Sequence, residues 1–226
     1  MMEALIAFGK EYGQMLLMGT AETLYMSLTA VILAYALGLP LGICVFMTGK
    51  NGIRPNRWIG WAAEWIVGLG RSIPFLILMV ALIPLTRLVM GSAIGPTAAI
   101  FPLMIGAAPF VARIAETAFQ EVDGGLIETA KAMGATDLQI IFKVLLPEAL
   151  PALVRGAAVA AITMVGYSAL SGTVGGGGLG DIAIRYGYHR YENSVMLATI
   201  VLLVGIVQLL QGVCNFAALK LDKRTR

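Results

Sequence analysis

The sequence predicts an all-α, polytopic membrane protein with about five transmembrane helices. Three observations predict this class: 58% of the 226 residues are hydrophobic, only 13% are charged, and the apolar residues form long runs without Asp, Glu, Lys or Arg. A soluble domain has roughly 25% charged residues and could not bury so much apolar surface. Because about 20 helical residues cross the hydrocarbon core of a bilayer, most of these runs are long enough to span it.

The uncharged runs define five predicted spans within a single membrane domain. The spans cover residues 21–47, 63–86, 88–112, 154–174 and 193–219. The second run is short, so its helix is expected to extend backwards through Arg71 toward Trp65 as one continuous span. The first residues contain Glu3, Lys10 and Glu11 instead of the basic flank of a signal peptide, so we expect this segment to remain in the mature protein.

The cysteines and the histidine do not indicate a metal or catalytic site. Cys44 and Cys214 lie inside apolar runs and lack the spacing of metal ligands. His189 lies in a polar loop beside Tyr188 and Tyr191, where an interfacial or loop role is expected. No cofactor of this chain's own is therefore expected, and a membrane enzyme is disfavoured.

The distribution of basic residues predicts the orientation in the membrane. If the N-terminus is outside, the segments 49–57 and 113–155 and the tail after residue 219 are cytoplasmic and carry eleven basic residues, against four in the outside segments. Cytoplasmic loops are enriched in Lys and Arg. The sequence therefore predicts an external N-terminus and a cytoplasmic C-terminus. The net charge of +3 reflects topology, and no nucleic-acid partner is expected.

The segment 113–152, between the third and fourth predicted spans, is too long for a simple connection. Its apolar residues recur at helical spacing and predict two short amphipathic helices. The two stripes are Leu126, Ile127, Ala130 and Met133, and then Leu138, Ile141, Phe142 and Leu145. Gly134 is expected to end the first helix in a left-handed conformation, and Thr136 and Gln139 to form a capping box that opens the second. Pro147 is expected to force either a break or a fresh helix start.

The same segment carries a resemblance to a known family. Residues 127–151 read IETAKAMGATDLQIIFKVLLPEALP and resemble the "EAA" loop of ABC-importer permeases, which is Glu-Ala-Ala, three residues, Gly, nine residues and Ile-x-Leu-Pro. Thr129 and Val144 depart mildly from that pattern, and a plain amphipathic surface hairpin is the alternative. The resemblance implies that the short helix before Gly134 inserts into a separate ATPase subunit. The implied coupling residues are Glu128, Thr129, Ala130, Met133, Gly134, Ala135, Val144, Leu146 and Pro147.

The chain itself has no GxxxxGK[ST] phosphate-binding motif. If the resemblance holds, ATP and Mg²⁺ are bound by the partner ATPase, and this chain is not an enzyme. Energy for transport is then supplied by another polypeptide.

Three further stretches look like the permease of methionine importers over nearly the whole chain. They are RSIPFLILMVALIPLTR from Arg71, IGAAPFVARIAE from Ile105 and VGYSALSGTVGGGGLGDIAIRYGY from Val165. The resemblance implies a homodimer in the bacterial inner membrane, two copies of an ATPase subunit and an extracytoplasmic methionine-binding protein. Two alternatives remain open: a permease of the same class for another amino acid or small nutrient, and a secondary transporter or channel that needs no ATPase.

Two other regions carry functional hypotheses. The glycines of residues 175–180 are expected to end the fourth helix in a flexible or tightly turned outside loop that meets the binding protein. Candidates for the translocation path are Met164, Tyr167, Ser168 and Leu170. Leu170, one per subunit across a dimer axis, is expected to close the path as an apolar constriction, and ordinary helix packing is the alternative. Glu64 and Arg71 fall on one helical face and are expected to pair or to cap their helix.

Overall fold

The computed structural model describes residues 2–50 and 52–221, and all regular secondary structure in these residues is helical. The α-helices are α1 (Met2–Thr48), α2 (Arg57–Ser72), α3 (Phe75–Ala81), α4 (Ile83–Met90), α5 (Pro96–Gln120), α6 (Gly124–Ala132), α7 (Asp137–Ile140), α8 (Leu146–Ser171), α9 (Gly178–Ile182) and α10 (Asn193–Leu221). Two π-helical segments, Ile141–Leu145 and Ala183–Tyr188, and one 3₁₀ turn, Gly172–Val174, adjoin them. The predicted all-α class is confirmed. The basic residues Lys223, Arg224 and Arg226 lie outside the described residues.

Four helical stretches in the described residues are long and apolar enough to cross a membrane. They are Ile6–Thr48, Pro96–Gln120, Asp137–Val174 and Asn193–Leu221. A fifth crossing is available if α2 and α3, which are bent by 98° at the break between them, form one broken span. The structure therefore agrees with the predicted number of about five spans.

The second span is not the continuous helix that the sequence predicted for residues 63–86. The helix ends at Ser72, Ile73 is extended with φ −82° and ψ 122°, and a new helix begins at Phe75. Pro74 is consistent with a break at this point, because its ring disfavours the helical conformation of the preceding residue and it has no N–H to donate. The expectation of one uninterrupted helix that extends backwards through Arg71 was wrong.

Other helix boundaries also differ from the predicted spans. The prediction used the absence of charged residues, which identifies apolar segments but not helix ends, and helices also continue through polar residues. The helix α1 begins at Met2 instead of residue 21, and α8 begins at Leu146 instead of residue 154. The uncharged run from residue 88 also contains the end of α4 and its cap at Gly91, so α5 begins only at Pro96; it then continues through charged residues to Gln120. The last helix, α10, matches the predicted span 193–219 within two residues at its C-terminal end.

The described residues group into two compact units, of which the first draws on residues 2–32, 74–105 and 161–210. Its core contains Leu16, Val165, Leu179, Ile182 and Val195, all nearly inaccessible to solvent. Two of the polar side chains buried in this unit bond to each other: the Ser27 hydroxyl donates to the Ser168 hydroxyl oxygen at 3.3 Å. Pairing satisfies these hydroxyls without solvent, as buried polar groups require.

The second unit draws on residues 33–73, 106–160 and 211–221. Phe119 and Leu145 are completely buried at its centre. Gly38 and Gly42 allow α1 to pack directly on α5, because an added Cβ would lie 2.5 Å from the Ala108 carbonyl oxygen and 2.6 Å from that of Ala112. This pair of glycines therefore allows close helix packing within the chain. In apolar lipid there is no hydrophobic driving force between helices, so van der Waals packing is a main source of their stability.

Candidate coupling segment and translocation residues

The candidate coupling segment, residues 124–140, begins with a capped helix that the sequence determines locally. The Asp123 carboxylate accepts the backbone N–H of Gly125 at 2.8 Å and so caps the N-terminus of α6. At the other end, Gly134 donates its N–H to the Lys131 carbonyl oxygen at 2.9 Å, and Ala135 donates to that of Ala130 at 3.0 Å. These two bonds form a Schellman motif, and Gly134 has the left-handed φ of +79° that the motif requires. The predicted glycine cap is confirmed.

The second helix of the segment, α7, begins at Asp137, and Thr136 is its N-cap residue. The Thr136 hydroxyl accepts the N–H of Gln139, and the Gln139 amide oxygen accepts the N–H of Thr136 at 2.9 Å. This reciprocal pair is the predicted capping box. The turn between α6 and α7 is thereby fixed at both ends by residues adjacent in sequence.

Of the two outcomes predicted at Pro147, the structure has the fresh helix start: α8 begins at Leu146, and the chain is not broken there. The helix continues from Asp137 to Val174 through the π-helical segment Ile141–Leu145, in which the Leu146 N–H bonds to the Ile141 carbonyl oxygen. Because this wider turn precedes Pro147, the missing N–H and the bulk of the proline ring are accommodated without ending the helix. The second amphipathic helix is thus the beginning of the membrane-spanning helix instead of a separate element.

Two contacts hold the coupling segment against the loop that precedes α2. The Lys131 ammonium donates to the Ile53 carbonyl oxygen at 3.0 Å. The Arg54 guanidinium lies 3.7 Å from the Asp137 carboxylate, with both side chains exposed to solvent. The sequence contained no signal for either contact, because 78 residues separate Lys131 from Ile53.

Most of the residues predicted to contact an ATPase lie on the outside of the chain. Met133 is 82% exposed. Glu128, Thr129, Gly134 and Pro147 are also exposed, and the remaining predicted coupling residues, Ala130, Ala135, Val144 and Leu146, are half-buried. Leu138 and Phe142 add exposed apolar surface, whereas Ile141 and Leu145 from the same predicted stripe are buried. The segment therefore presents apolar side chains outward while others anchor it.

A polar cluster on α5 was missed by sequence reasoning. Glu116 is 7% exposed and accepts a hydrogen bond from Arg113 at 2.6 Å and another from Gln120 at 3.2 Å. Both partners stand at helical spacing from Glu116, so the i, i+3 and i, i+4 pattern was a usable signal. The cluster neutralises a nearly buried carboxylate at the end of α5 nearest the coupling segment in sequence.

The glycine-rich stretch forms a tight turn. The Glu22 carboxylate accepts the Gly178 N–H at 2.8 Å, and the Thr23 hydroxyl accepts the Leu179 N–H at 2.9 Å. A Cβ at Gly180 would lie 2.2 Å from the carbonyl oxygen of Ala169, so α9 and α8 pack backbone to backbone. Of the two predicted forms of this loop, the structure has the tightly turned one.

The four predicted path residues separate into two groups. Met164 and Ser168 are buried in the core of the first unit, which favours the packing alternative for them. Tyr167 is half-buried and stacks on Phe75, with ring centroids 4.2 Å apart, and Leu170 is 43% exposed. Only Tyr167 and Leu170 therefore reach a surface of the chain, and their role in a path stays a prediction.

The expected pairing of Glu64 with Arg71 is not formed. Both side chains are exposed on α2, and they form no ion pair with each other. Arg71 lies in the last turn of the helix, where a positive charge is favourable toward the free carbonyl groups. Arg71 is therefore placed at the break before Pro74 and not in the middle of a continuous span.

Comparison with protein families decides the class of the chain. Residues 38–225 match the family described as the binding-protein-dependent transport system inner membrane component. The chain belongs to this family. The family membership implied by the resemblance of the coupling segment is confirmed.

Individual relatives of this permease are similar over nearly their whole length. The probable D-methionine transport system permease protein MetI of Vibrio cholerae is 51% identical over 210 residues, with 93% of each chain covered. The methionine import system permease protein MetP of Bacillus subtilis is 42% identical, with 91% of this chain and 92% of that one covered.

Solved structures share the fold of the permease. A chain of the MetNI methionine ABC transporter, determined in inward-facing conformations, superposes with a TM-score of 0.93 at 45% identity, covering 94% of this chain and 98% of that one. A chain of an amino acid ABC transporter shares the fold at 20% identity and a TM-score of 0.71. The all-α fold is therefore shared with a chain of a known ABC transporter.

Proposed function

We propose that this chain is the membrane-spanning permease subunit of an ATP-driven ABC importer that carries methionine, L- and D-isomers included, across the inner membrane. The observation that carries the proposal is the coupling segment: a capped, outward-facing helix on a chain whose fold matches the MetNI transporter chain. The substrate rests on the relatives, which are named as D-methionine or methionine permeases at 42–51% identity.

The importer contains two copies of this chain, two copies of an ATPase subunit and an extracytoplasmic methionine-binding protein. The ATPase subunits bind ATP and Mg²⁺, and this chain supplies no catalytic residue. The excess of basic residues in segments 49–57 and 113–155 supports an external N-terminus and a cytoplasmic coupling segment.

The coupling segment transmits movement of the ATPase subunits to the membrane spans. Its second helix is continuous with the membrane-spanning helix from Asp137 to Val174, which carries Tyr167 and Leu170. A displacement applied at α7 therefore acts on the same helix that carries the residues proposed to line and close the path. This is a mechanical basis for alternating access driven by ATP binding.

Reconstitution tests this function directly. Proteoliposomes that contain this chain, its ATPase, the binding protein and ATP are expected to accumulate labelled methionine, and unlabelled methionine should compete better than other amino acids. Vesicles that contain this chain alone are the control and should accumulate none. Uptake by the chain alone would favour a secondary transporter or channel, and stronger competition by another amino acid would change the substrate.

A further inference from the structure

A groove lies between the end of α1 and the beginning of α2, on the side of the membrane that holds the coupling segment. It has a volume of about 540 Å³. Pro40, Ile43 and Met47 form a wall along nearly two turns of α1, and Ile59 lines the groove from α2. Beyond the end of α1, the groove is lined by Arg54 and Asn56. An apolar wall that leads to a guanidinium matches the two parts of a phospholipid molecule.

All three tryptophans of the chain lie on α2, the helix whose first turn lines this groove. Trp58, Trp61 and Trp65 are spaced three and four residues apart and so share one helical face, with exposed fractions of 80%, 62% and 58%. The opposite face, with Gly60, Ala63 and Val67, is buried. Indole rings partition to the headgroup level of membranes, because they combine an apolar body with an N–H donor.

The charges at this position favour an anion. The Arg54 side chain is 83% exposed, and Arg57 at the first turn of α2 is exposed as well. The Asn56 side-chain oxygen already accepts the N–H groups of Trp58 and Ile59, so its amide NH2 and the two guanidinium groups are the donors available to an added phosphate. The acidic groups nearby are Asp137, which forms a long, exposed ion pair with Arg54, and the exposed Glu64 on α2.

We propose that this groove binds an anionic phospholipid of the headgroup layer. Its acyl chain lies against the wall formed by Pro40, Ile43 and Met47, and its phosphate is bound by Arg54 and Arg57. A guanidinium group binds phosphate with two parallel hydrogen bonds, whereas its 3.7 Å contact with the Asp137 carboxylate is longer than a hydrogen bond. The phosphate therefore displaces Asp137 from Arg54. The tryptophan face holds α2 at the depth where this contact forms.

The three tryptophans make the proposal measurable, because every indole fluorophore of the chain lies on α2, the helix whose first turn lines the groove. The full-length chain is reconstituted in phosphatidylcholine vesicles, and brominated phosphatidylglycerol or brominated phosphatidylcholine with the same acyl chains is added as the quencher. We expect brominated phosphatidylglycerol to quench the tryptophan fluorescence at a lower mole fraction than brominated phosphatidylcholine does. Each arginine near an anionic surface should contribute about a fivefold preference.

Substitutions distinguish a site from general lipid contact. The double variant Arg54→Gln and Arg57→Gln should lose the preference while circular dichroism stays unchanged, since both side chains are exposed. The matched control Arg87→Gln, at an exposed arginine of α4, should keep it. Asp137→Asn removes the competing carboxylate and should increase it. Equal quenching by both lipids, no quenching by either, or a preference that survives the double substitution would overturn the proposal.

Discussion

Gly134 shows how one residue controls the shape of the coupling segment. Its φ of +79° is a conformation that a Cβ makes costly, and nothing in the described chain lies within 4 Å of the position that a Cβ would occupy. Backbone conformation, and not crowding inside this chain, therefore requires glycine here. Any steric requirement at this position comes from the partner subunit.

Two substitutions at Gly134 separate these causes. Gly134→Ala should destabilise the turn by about 1 kcal/mol, whereas Gly134→Asn should cost less, because Asn tolerates the left-handed conformation. Thermal unfolding of the chain measures this difference. If the ATPase packs against the glycine, both variants should lower ATP-driven methionine uptake in the reconstituted importer. Full uptake by Gly134→Asn would show that no close approach occurs.

Gly180 has the opposite requirement, since its φ is ordinary and its surroundings are crowded. Gly180→Ala brings a Cβ to 2.2 Å from the Ala169 carbonyl oxygen and should destabilise the protein by about 1–3 kcal/mol. Thermal unfolding in detergent checks this. The control is Gly212→Ala on α10, where nothing lies within 4 Å and the helix should be unchanged or slightly more stable. Equal melting temperatures for the two variants would contradict the crowding argument.

At the scale of elements, the coupling segment is positioned by contacts with the loop before α2. The Lys131 ammonium binds the Ile53 carbonyl oxygen, so α6 is attached to the loop before α2 as well as to α7. The continuous helix Asp137–Val174 then carries any movement into the membrane. An attachment at only one end would allow α6 to pivot without moving the span.

Removing the hydrogen bond from Lys131 to Ile53 should reduce the coupling of ATP hydrolysis to transport more than it reduces the stability of the fold. Lys131→Met keeps the length of the side chain but removes the donor, which contributes about 1 kcal/mol in a partly exposed position. We expect methionine uptake to fall several-fold per ATP hydrolysed, with helical content unchanged. Lys143→Met, at an exposed lysine on the π-helical segment, is the matched control. Equal transport-to-hydrolysis ratios in both variants would exclude a coupling role for Lys131.

For the whole molecule, transport requires a path that closes between the two proposed copies of the chain. Leu170 is the exposed apolar member of the predicted path residues and stands one turn from Tyr167 on α8. Its side chain is not buried in the core of its own chain. It is therefore available to meet its counterpart in the partner copy.

Shortening this side chain tests the closure. Leu170→Ala should raise the leak of methionine through the assembled importer without ATP, or increase ATP hydrolysis uncoupled from uptake, because a smaller apolar side chain no longer fills the constriction. Val159→Ala, at an exposed position three turns earlier on α8, is the control. Unchanged leak and hydrolysis in Leu170→Ala would remove Leu170 from the path.

The sequence by itself determined the features that depend on neighbouring residues. Long uncharged runs require lipid as solvent, and the Gly134 cap and the Thr136 capping box follow from local backbone chemistry. The family resemblance also lay in a contiguous motif. Each of these is a property of residues close together along the chain, so no knowledge of packing was needed.

Only the tertiary structure decided where distant residues meet. It placed Lys131 on Ile53, buried Met164 and Ser168, broke the second span at Pro74, and carried the helix through Pro147 by means of a π-helical turn. A helix can either end or continue at a proline, and a serine hydroxyl can either line a translocation path or form a buried hydrogen bond. The choice depends on which other helices supply hydrogen-bond partners and contact surface, and this information is not present in any local stretch of sequence.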